Sequence, residues 1–346
     1  MHFASDNTGP THPKVLEAVV KSSDGYALPY GRDPWAEEAI AKIRDTFEAP
    51  EAAVYFVATG TGANSMALGT LAEPWSAIFC HEMAHILIDE SNGPSMFSGG
   101  ASCAPVAGPD GKMDPSALAN MLDRYAPGDI HTPARGPLSI TNITQVGTVY
   151  RLDEIDALTS LAKGAGLPVH LDGARFANAC ATLGCSAAEL SWKRGIDVVV
   201  FGGTKNGCVS VEAVIFFDPA HAQRFERQRM RGGHLFSKHR FLSAQMSAYA
   251  EDELWLDLAR QANAAGEYLA KSLGNHVEFV HTPQANMLIV RFPRGLHHKL
   301  KAEGAQFQTW GDLNGPEDEA ITARLVCDWS ASPENTDRFV SLLKAG

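Results

Sequence analysis

Two side chains stand at the ends of two short apolar runs. Asp172 closes V-H-L-D at 169–172, and Lys205 follows D-V-V-V-F-G-G-T at 197–204. Runs that are apolar throughout and stop at a polar or Gly-rich turn read as strands buried on both faces. The segment between them, 175–194, has room for a helix, which makes a strand–helix–strand unit. Chemistry in such sheets gathers just past the carboxyl ends of the strands, so an acid and an amine are delivered to one rim. That pair suits pyridoxal 5'-phosphate: the amine forms the Schiff base, and the carboxylate keeps the pyridine nitrogen protonated so that the ring is an electron sink. Either residue alone reads as a turn cap or a solvated lysine. Together, flanked by Gly202-Gly203 and Asn206-Gly207, they favour the cofactor.

A second stretch fits the same chemistry. A short apolar strand at 53–58 breaks into T-G-T-G-A-N at 59–64, and 65–71 reads as helix. A glycine-rich turn before a helix presents free N–H groups and the positive end of a helix dipole, which seats a phosphate. The G-x-x-x-x-G-K and G-x-G-x-x-G spacings are both missed here. The alternative is a plain strand-to-helix turn.

H-E-M-A-H at 81–85 matches the zinc-hydrolase pattern H-E-x-x-H. That chemistry needs both histidines on one face of a long helix and a third ligand downstream. A strand at 76–80 runs straight into His81, Gly93-Pro94 ends any helix, and no Glu falls between Glu90 and Glu154. A zinc hydrolase is kept only as the alternative from another class, and no metal is expected.

The elements that must position these residues alternate strand and helix from about 50 to 217, the pattern of an α/β domain with a mostly parallel sheet flanked by helices. Helices are expected at 12–22, 34–47, 114–125 and 152–165, and strands at 138–143 and 209–217. The last third changes character, with a long Ala-rich helix at 242–273, strands at 277–281, 287–292 and 321–328, a mobile loop at 312–319 and a final helix to about 344. This reads as an N-terminal arm (1–14), a large α/β domain (15–249) and a smaller α+β domain (250–346). The length of 346 residues is long for one core and fits two lobes.

Composition bounds the partners. A formal charge of −11 argues against nucleic acid. There is no run of eighteen apolar residues and no signal-peptide pattern, so no membrane partner is expected. Six cysteines without C-x-x-C pairing read as free thiols in a reducing compartment, and a cytoplasmic location follows.

Over nearly its whole length the chain resembles the threonine aldolase family of fold-type I pyridoxal phosphate enzymes. The most specific element is H-L-D-G-A-R at 170–175, supported by S-D at 5–6, Y-G at 30–31, G-T-G-A-N at 60–64, Lys205 after its strand, and A-R-L-V at 323–326. The resemblance implies the aspartate aminotransferase-like fold and retro-aldol cleavage of L-β-hydroxy-α-amino acids (L-threonine, L-allo-threonine, L-phenylserine) to glycine and an aldehyde. Other fold-type I chemistries, β-elimination and transamination, stay open.

By the same resemblance Lys205 is the Schiff-base lysine, with Thr204 beside it at the cofactor, and Asp172 pairs the pyridine nitrogen. Arg175 lies beside the cofactor's phenolic oxygen and near substrate, Gly60 and Thr61 hold the phosphate, and His85 stacks on the ring. Arg324 grips the substrate carboxylate with Ser5 beside it, and His131 approaches the β-hydroxyl. Tyr30, Arg231 and Lys238 reach the site from a neighbouring subunit, in a homotetramer of two dimers with shared active sites. Two departures bear on substrate preference. Thr204-Lys205-Asn206 replaces the commoner S-K-G, and T-N-I-T-Q at 141–145 lacks the family's histidine.

Overall fold

The computed structural model describes residues 1–345. Seven strands build the large sheet: β1 (Ala53–Val57), β2 (Ser76–His81), β3 (Ser102–Val106), β4 (Ala134–Thr141), β5 (Val169–Gly173), β6 (Val198–Gly202) and β7 (Glu212–Phe216). They lie in the order β1-β7-β6-β5-β4-β2-β3. Every pairing from β6 to β3 is parallel, whereas β7 runs antiparallel to both β1 and β6. The sheet is thus mostly parallel, with helices on both faces, in an aminotransferase-like α/β architecture.

The buried strands explain the sequence pattern. All residues of β5, β6 and β7 are buried. One face packs Val199, Phe201, Leu171 and Ile215 into the main core, and the other packs Val198, Val200, Val214 and Phe216 against Ala63, Met66 and Ala67 of the helix Gly60–Leu71. Asp172 near the end of β5 and Lys205 just after β6 stand where the strands open onto a cavity.

The second sheet holds β8 (Glu278–Phe279), β9 (Met287–Pro293), β10 (Gln308–Trp310) and β11 (Ala320–Val326) in the antiparallel order β10-β11-β9-β8. Its core also takes in Met1 and Phe3 from the arm. The arm is stitched there by Phe3 N–H to the Gln306 carbonyl (2.8 Å) and Val326 N–H to the Phe3 carbonyl (2.9 Å). Residues 4–9 therefore cross directly from the small sheet to the site.

Several elements differ from the sequence reading. The single helix at 242–273 is two, Arg240–Ala250 and Leu254–Leu273, broken where Asp252 and Glu253 take φ of 48° and 55°. The helix after Arg175 is short, Phe176–Leu183, and ends on Gly184 at φ 63°. Gly93-Pro94 opens a helix, Gly93–Ser98, rather than only ending one, since proline suits a first turn. The helices Ala222–Arg231 and Arg294–Ala302 and the edge strand β3 were not anticipated. The loop at 312–319 is gathered around Arg294, whose guanidinium donates to the Asp312 and Pro316 carbonyls and to Glu319.

Candidate active site

The carboxyl ends of β4, β5 and β6, the segment after β2 and the start of the helix after β1 enclose a cavity of about 280 Å³. Gly60, Thr61, His85, Asp172, Arg175, Thr204 and Lys205 all line it, so the structure brings seven of the expected residues together. A wider opening of about 660 Å³ shares His85, Arg175 and Lys205 with it and adds Ser5, Met83, Ile88, Trp310 and Arg324.

Asp172 is 2% exposed. Its Oδ1 accepts the Ala174 N–H at 3.1 Å, which fixes the carboxylate at the strand end and leaves the other oxygen for the cavity. Lys205 stands in a short turn after β6. Burial lowers its pKa, and the nearby Arg175 cation pushes it the same way, against the pull of Asp6, Asp172 and Glu212. A larger neutral fraction than in a free lysine makes it a better nucleophile.

The stretch expected to seat a phosphate is a helix start, not the loop before one. Thr59 caps the helix by accepting the Gly62 N–H at 3.1 Å, so Gly60 and Thr61 already belong to the first turn. Glycine is unfavourable in helices, and two in one turn need a reason. A Cβ on Gly62 would lie 2.5 Å from Nε2 of His234, whereas one on Gly60 would meet nothing within 4 Å. The space over Gly60 is therefore open, beside N–H groups of Gly60 and Thr61 that the helix cannot satisfy internally.

His85 belongs to the one-turn helix His85–Ile88. Its Nδ1 lies 2.7 Å from Oε1 of Glu90, a buried carboxyl that also accepts the Asn64 amide at 2.9 Å. Because the Asn64 nitrogen only donates, Oε1 is an acceptor, so His85 Nδ1 carries a proton and, in the neutral ring, Nε2 has the lone pair. The Glu90 hydrogen bond raises the His85 pKa, and burial raises that of Glu90. The zinc motif dissolves here. His81 ends β2 with both ring nitrogens engaged, Nε2 with the Gly108 carbonyl (3.1 Å) and Nδ1 with the Met83 N–H (3.1 Å). It has no nitrogen left for a metal.

Arg175 makes a bidentate pair with Asp6 at 2.6 and 2.8 Å, with both side chains buried. Asn286 adds a hydrogen bond to Asp6 at 3.1 Å. Arg324 on β11 reaches the Ala4 carbonyl at 3.2 Å, next to Ser5, while its Nε is buried without a partner. A buried donor without an acceptor fits a site for an anionic ligand group.

Four expected residues stay outside this chain's own cavity. His131 is exposed in a turn where its N–H binds Asp129. Arg231 and Lys238 are exposed, and Tyr30 is joined to the second of these stretches through its N–H to the Ser237 carbonyl at 3.1 Å. Of the basic stretch 229–238, Arg229 packs on the Tyr55 ring at 4.9 Å and His234 stands behind the helix start at Gly62, where its Nδ1 accepts the Ala58 N–H.

Glu90 and Glu212 were not singled out by the sequence, and Asp6 and Asn64 appeared only inside motifs, without a role. Asp6 is the one with a stability consequence. Burial raises its carboxyl pKa, but Arg175, Lys205 and Asn286 together hold it below the usual range. Asp6→Asn leaves Arg175 buried without its counter-charge, and a loss of about 3 kcal/mol in unfolding free energy is expected near neutrality. A depressed pKa contributes stability above the unfolded value, near 4, and loses it as pH falls through the folded one. Denaturant titrations should therefore show a constant gap between the two proteins from about pH 8 to 5, closing only below about pH 4. A gap that closes already between about pH 7 and 5 would contradict the pairing.

The family described as Beta-eliminating lyase matches residues 2–293. The low specificity L-threonine aldolase of a Pseudomonas species is 36% identical over 345 residues, 99% of this chain and 97% of that protein. The protein of the same description from Pseudomonas aeruginosa is 37% identical over 96% of this chain and 94% of its own length. Among solved structures, the threonine aldolase of Leishmania major superposes with a TM-score of 0.91 at 25% identity, over 99% of this chain and 98% of that one.

Proposed function

The chain belongs to the beta-eliminating lyase family and, within it, to the low-specificity L-threonine aldolases; from that premise we propose that it cleaves L-β-hydroxy-α-amino acids to glycine and an aldehyde with pyridoxal 5'-phosphate at Lys205. One observation carries the reading: Asp172, Lys205 and the open start of the helix at Gly60 line a single cavity. An acid, an amine and a phosphate seat fit the three ends of that cofactor. When bound, it supplies a protonated ring into which the electrons of a breaking bond at Cα can delocalise.

The residues divide the rest of the work. Asp172 holds the proton on the ring nitrogen. Gly60 and Thr61 offer N–H groups to the phosphate, and Thr204 lines the same cavity. The Arg324 guanidinium, with Ser5 beside it, takes the substrate carboxylate, which orients the Cα–Cβ bond. Arg175, half-neutralised by Asp6, is a weaker electrophile than a lone guanidinium. His85 has its Nε2 free to accept the β-hydroxyl proton, with Glu90 holding the ring in that tautomer. With that proton on His85, the Cα–Cβ bond breaks as the aldehyde carbonyl forms. A proton returned to Cα then completes glycine.

Met83, Ile88 and Trp310 line the wider opening and leave room for a substituent larger than methyl at Cβ. That supports loose choice there, phenylserine included. The surface carries exposed Tyr26, Leu28, Met96 and Ile130. We read the assembly as a tetramer of two dimers in which Tyr30, Arg231, Lys238 and His131, which lie outside their own chain's cavity, serve a neighbour's site. No described helix is long and apolar enough to cross a membrane, and we place the protein in the cytoplasm. Incubation with L-threonine, L-allo-threonine and L-phenylserine should give glycine with acetaldehyde or benzaldehyde in equal amounts. Ammonia and a keto acid without glycine would replace this reading with β-elimination.

A further inference from the structure

Three carboxyl groups line the inner cavity, and one has no part in the reaction above. Glu90 orients His85 and Asp172 serves the ring nitrogen. Glu212 is unassigned, although it is only 5% exposed. It is the first residue of β7, paired with Val57 of β1 on one side and Gly202 of β6 on the other. Because β7 alone is antiparallel, its first residue, not its last, reaches the rim where the other strands end. Side chains alternate along a strand, so Glu212 shares a face with Val214 and Phe216. That face packs against Ala63, Met66 and Ala67 of the helix Gly60–Leu71. The carboxyl thus stands beside the helix start that forms the phosphate seat. Its Oε2 accepts the Gly203 N–H at 2.9 Å.

A carboxylate beside a phosphate dianion is a repulsive arrangement that a protein relieves by protonating the carboxyl. Resting on the reading that this cavity holds pyridoxal 5'-phosphate, we propose that Glu212 is the proton acceptor of the phosphate seat: docking of the phosphate draws one proton from solvent onto its carboxyl, so cofactor affinity falls as pH rises through neutrality. Burial already pushes the Glu212 pKa up to about 7, with Thr204, Gly203 and Lys205 pulling it down and Asp172 pushing it up. A small further push decides its charge. The other groups facing the cavity do not imitate it. Cys208 and Tyr249, buried behind Lys205, are pushed well above their usual values and stay protonated. Burial lowers the pKa of His234, and a proton taken up there would be untouched by Glu212→Gln. Lys205, Asp172 and the His85–Glu90 pair contribute equally whether or not the ligand carries a phosphate.

The test compares pyridoxal 5'-phosphate with pyridoxal, which lacks only the phosphate. Calorimetric titration of the apo-protein at about pH 8, in buffers of different ionisation enthalpy, counts the protons bound with each ligand. The phosphorylated compound should take up close to one proton more than pyridoxal in the wild-type protein, and Glu212→Gln should abolish the difference. Across about pH 6.5 to 8.5 the ratio of the wild-type to the Glu212→Gln dissociation constant should rise roughly tenfold for the phosphorylated ligand and stay flat for pyridoxal. Equal proton counts for the two ligands in the wild type, which need no variant, would overturn the inference alone. Failure of both compounds to bind would overturn the cofactor reading and the inference with it.

Discussion

Lys205→Ala should reduce turnover by at least about a thousandfold, since it removes the amine that would hold the proposed cofactor. Lys205 is the only lysine lining the inner cavity. Burial and the Arg175 cation both lower its pKa, so its neutral, nucleophilic fraction is larger than that of a free lysine. No neighbouring lysine can replace it. The direct readout is covalent: borohydride treatment of the wild-type protein with cofactor should label the peptide containing residue 205, and the variant should carry no label. Stability should not fall with activity, because a buried cation that desolvation already disfavours is being removed. A thermal melt equal to or above the wild type, with no label and no glycine formed, is the expected result. Wild-type turnover in the unlabelled variant would remove the lysine from the chemistry.

The unit carrying that lysine was legible because burial on both faces writes itself into composition. β5 and β6 are apolar runs, and Asp172 and Lys205 stand out against them. β7 is equally apolar, and its location was read as well, but direction is not encoded in a five-residue strand. A parallel β7 would have put Phe217 at the rim; the antiparallel one puts Glu212 there. The edge strand β3 was hidden by Pro105, whose missing N–H is tolerated because β3 pairs only with β2.

Partners far apart in sequence were the other gap. Asp6 and Arg175 are 169 positions apart, and nothing local to either announces the pair. Glu90 is only five residues from His85, yet the H-E-x-x-H spacing drew attention to Glu82, which is exposed. The break after Ala250 was masked by helix-forming residues on both sides, and only the left-handed backbone at Asp252 and Glu253 interrupts them. The glycines at 60 and 62 were read as a loop by propensity. They open a helix capped by Thr59, and the close approach of His234 requires a glycine at 62 despite about 1 kcal/mol of helix propensity per glycine.

Asp172→Asn should lower kcat by about 10²–10³, roughly 3–4 kcal/mol of transition-state stabilisation. The amide keeps the shape of the carboxylate and can still take the Ala174 N–H, so β5 and its turn should hold. What it loses is the negative charge that, in the role proposed for it, keeps a proton on the ring nitrogen, and no neighbour restores it. His170, two residues earlier on β5, is fully buried, bonds Ser139 through Nδ1 at 2.9 Å, and is pushed by burial down to about 4, so it is neutral at working pH. Glu90 and Glu212 serve other ends of the cavity. Cofactor affinity should change by less than about tenfold, because the seat at Gly60 and Thr61 and the amine of Lys205 are untouched. The loss should therefore appear in kcat with the cofactor fully bound. Near-normal turnover by a saturated Asp172→Asn protein would mean that ring protonation is not what drives the cleavage, and the role given to the end of β5 would have to be abandoned.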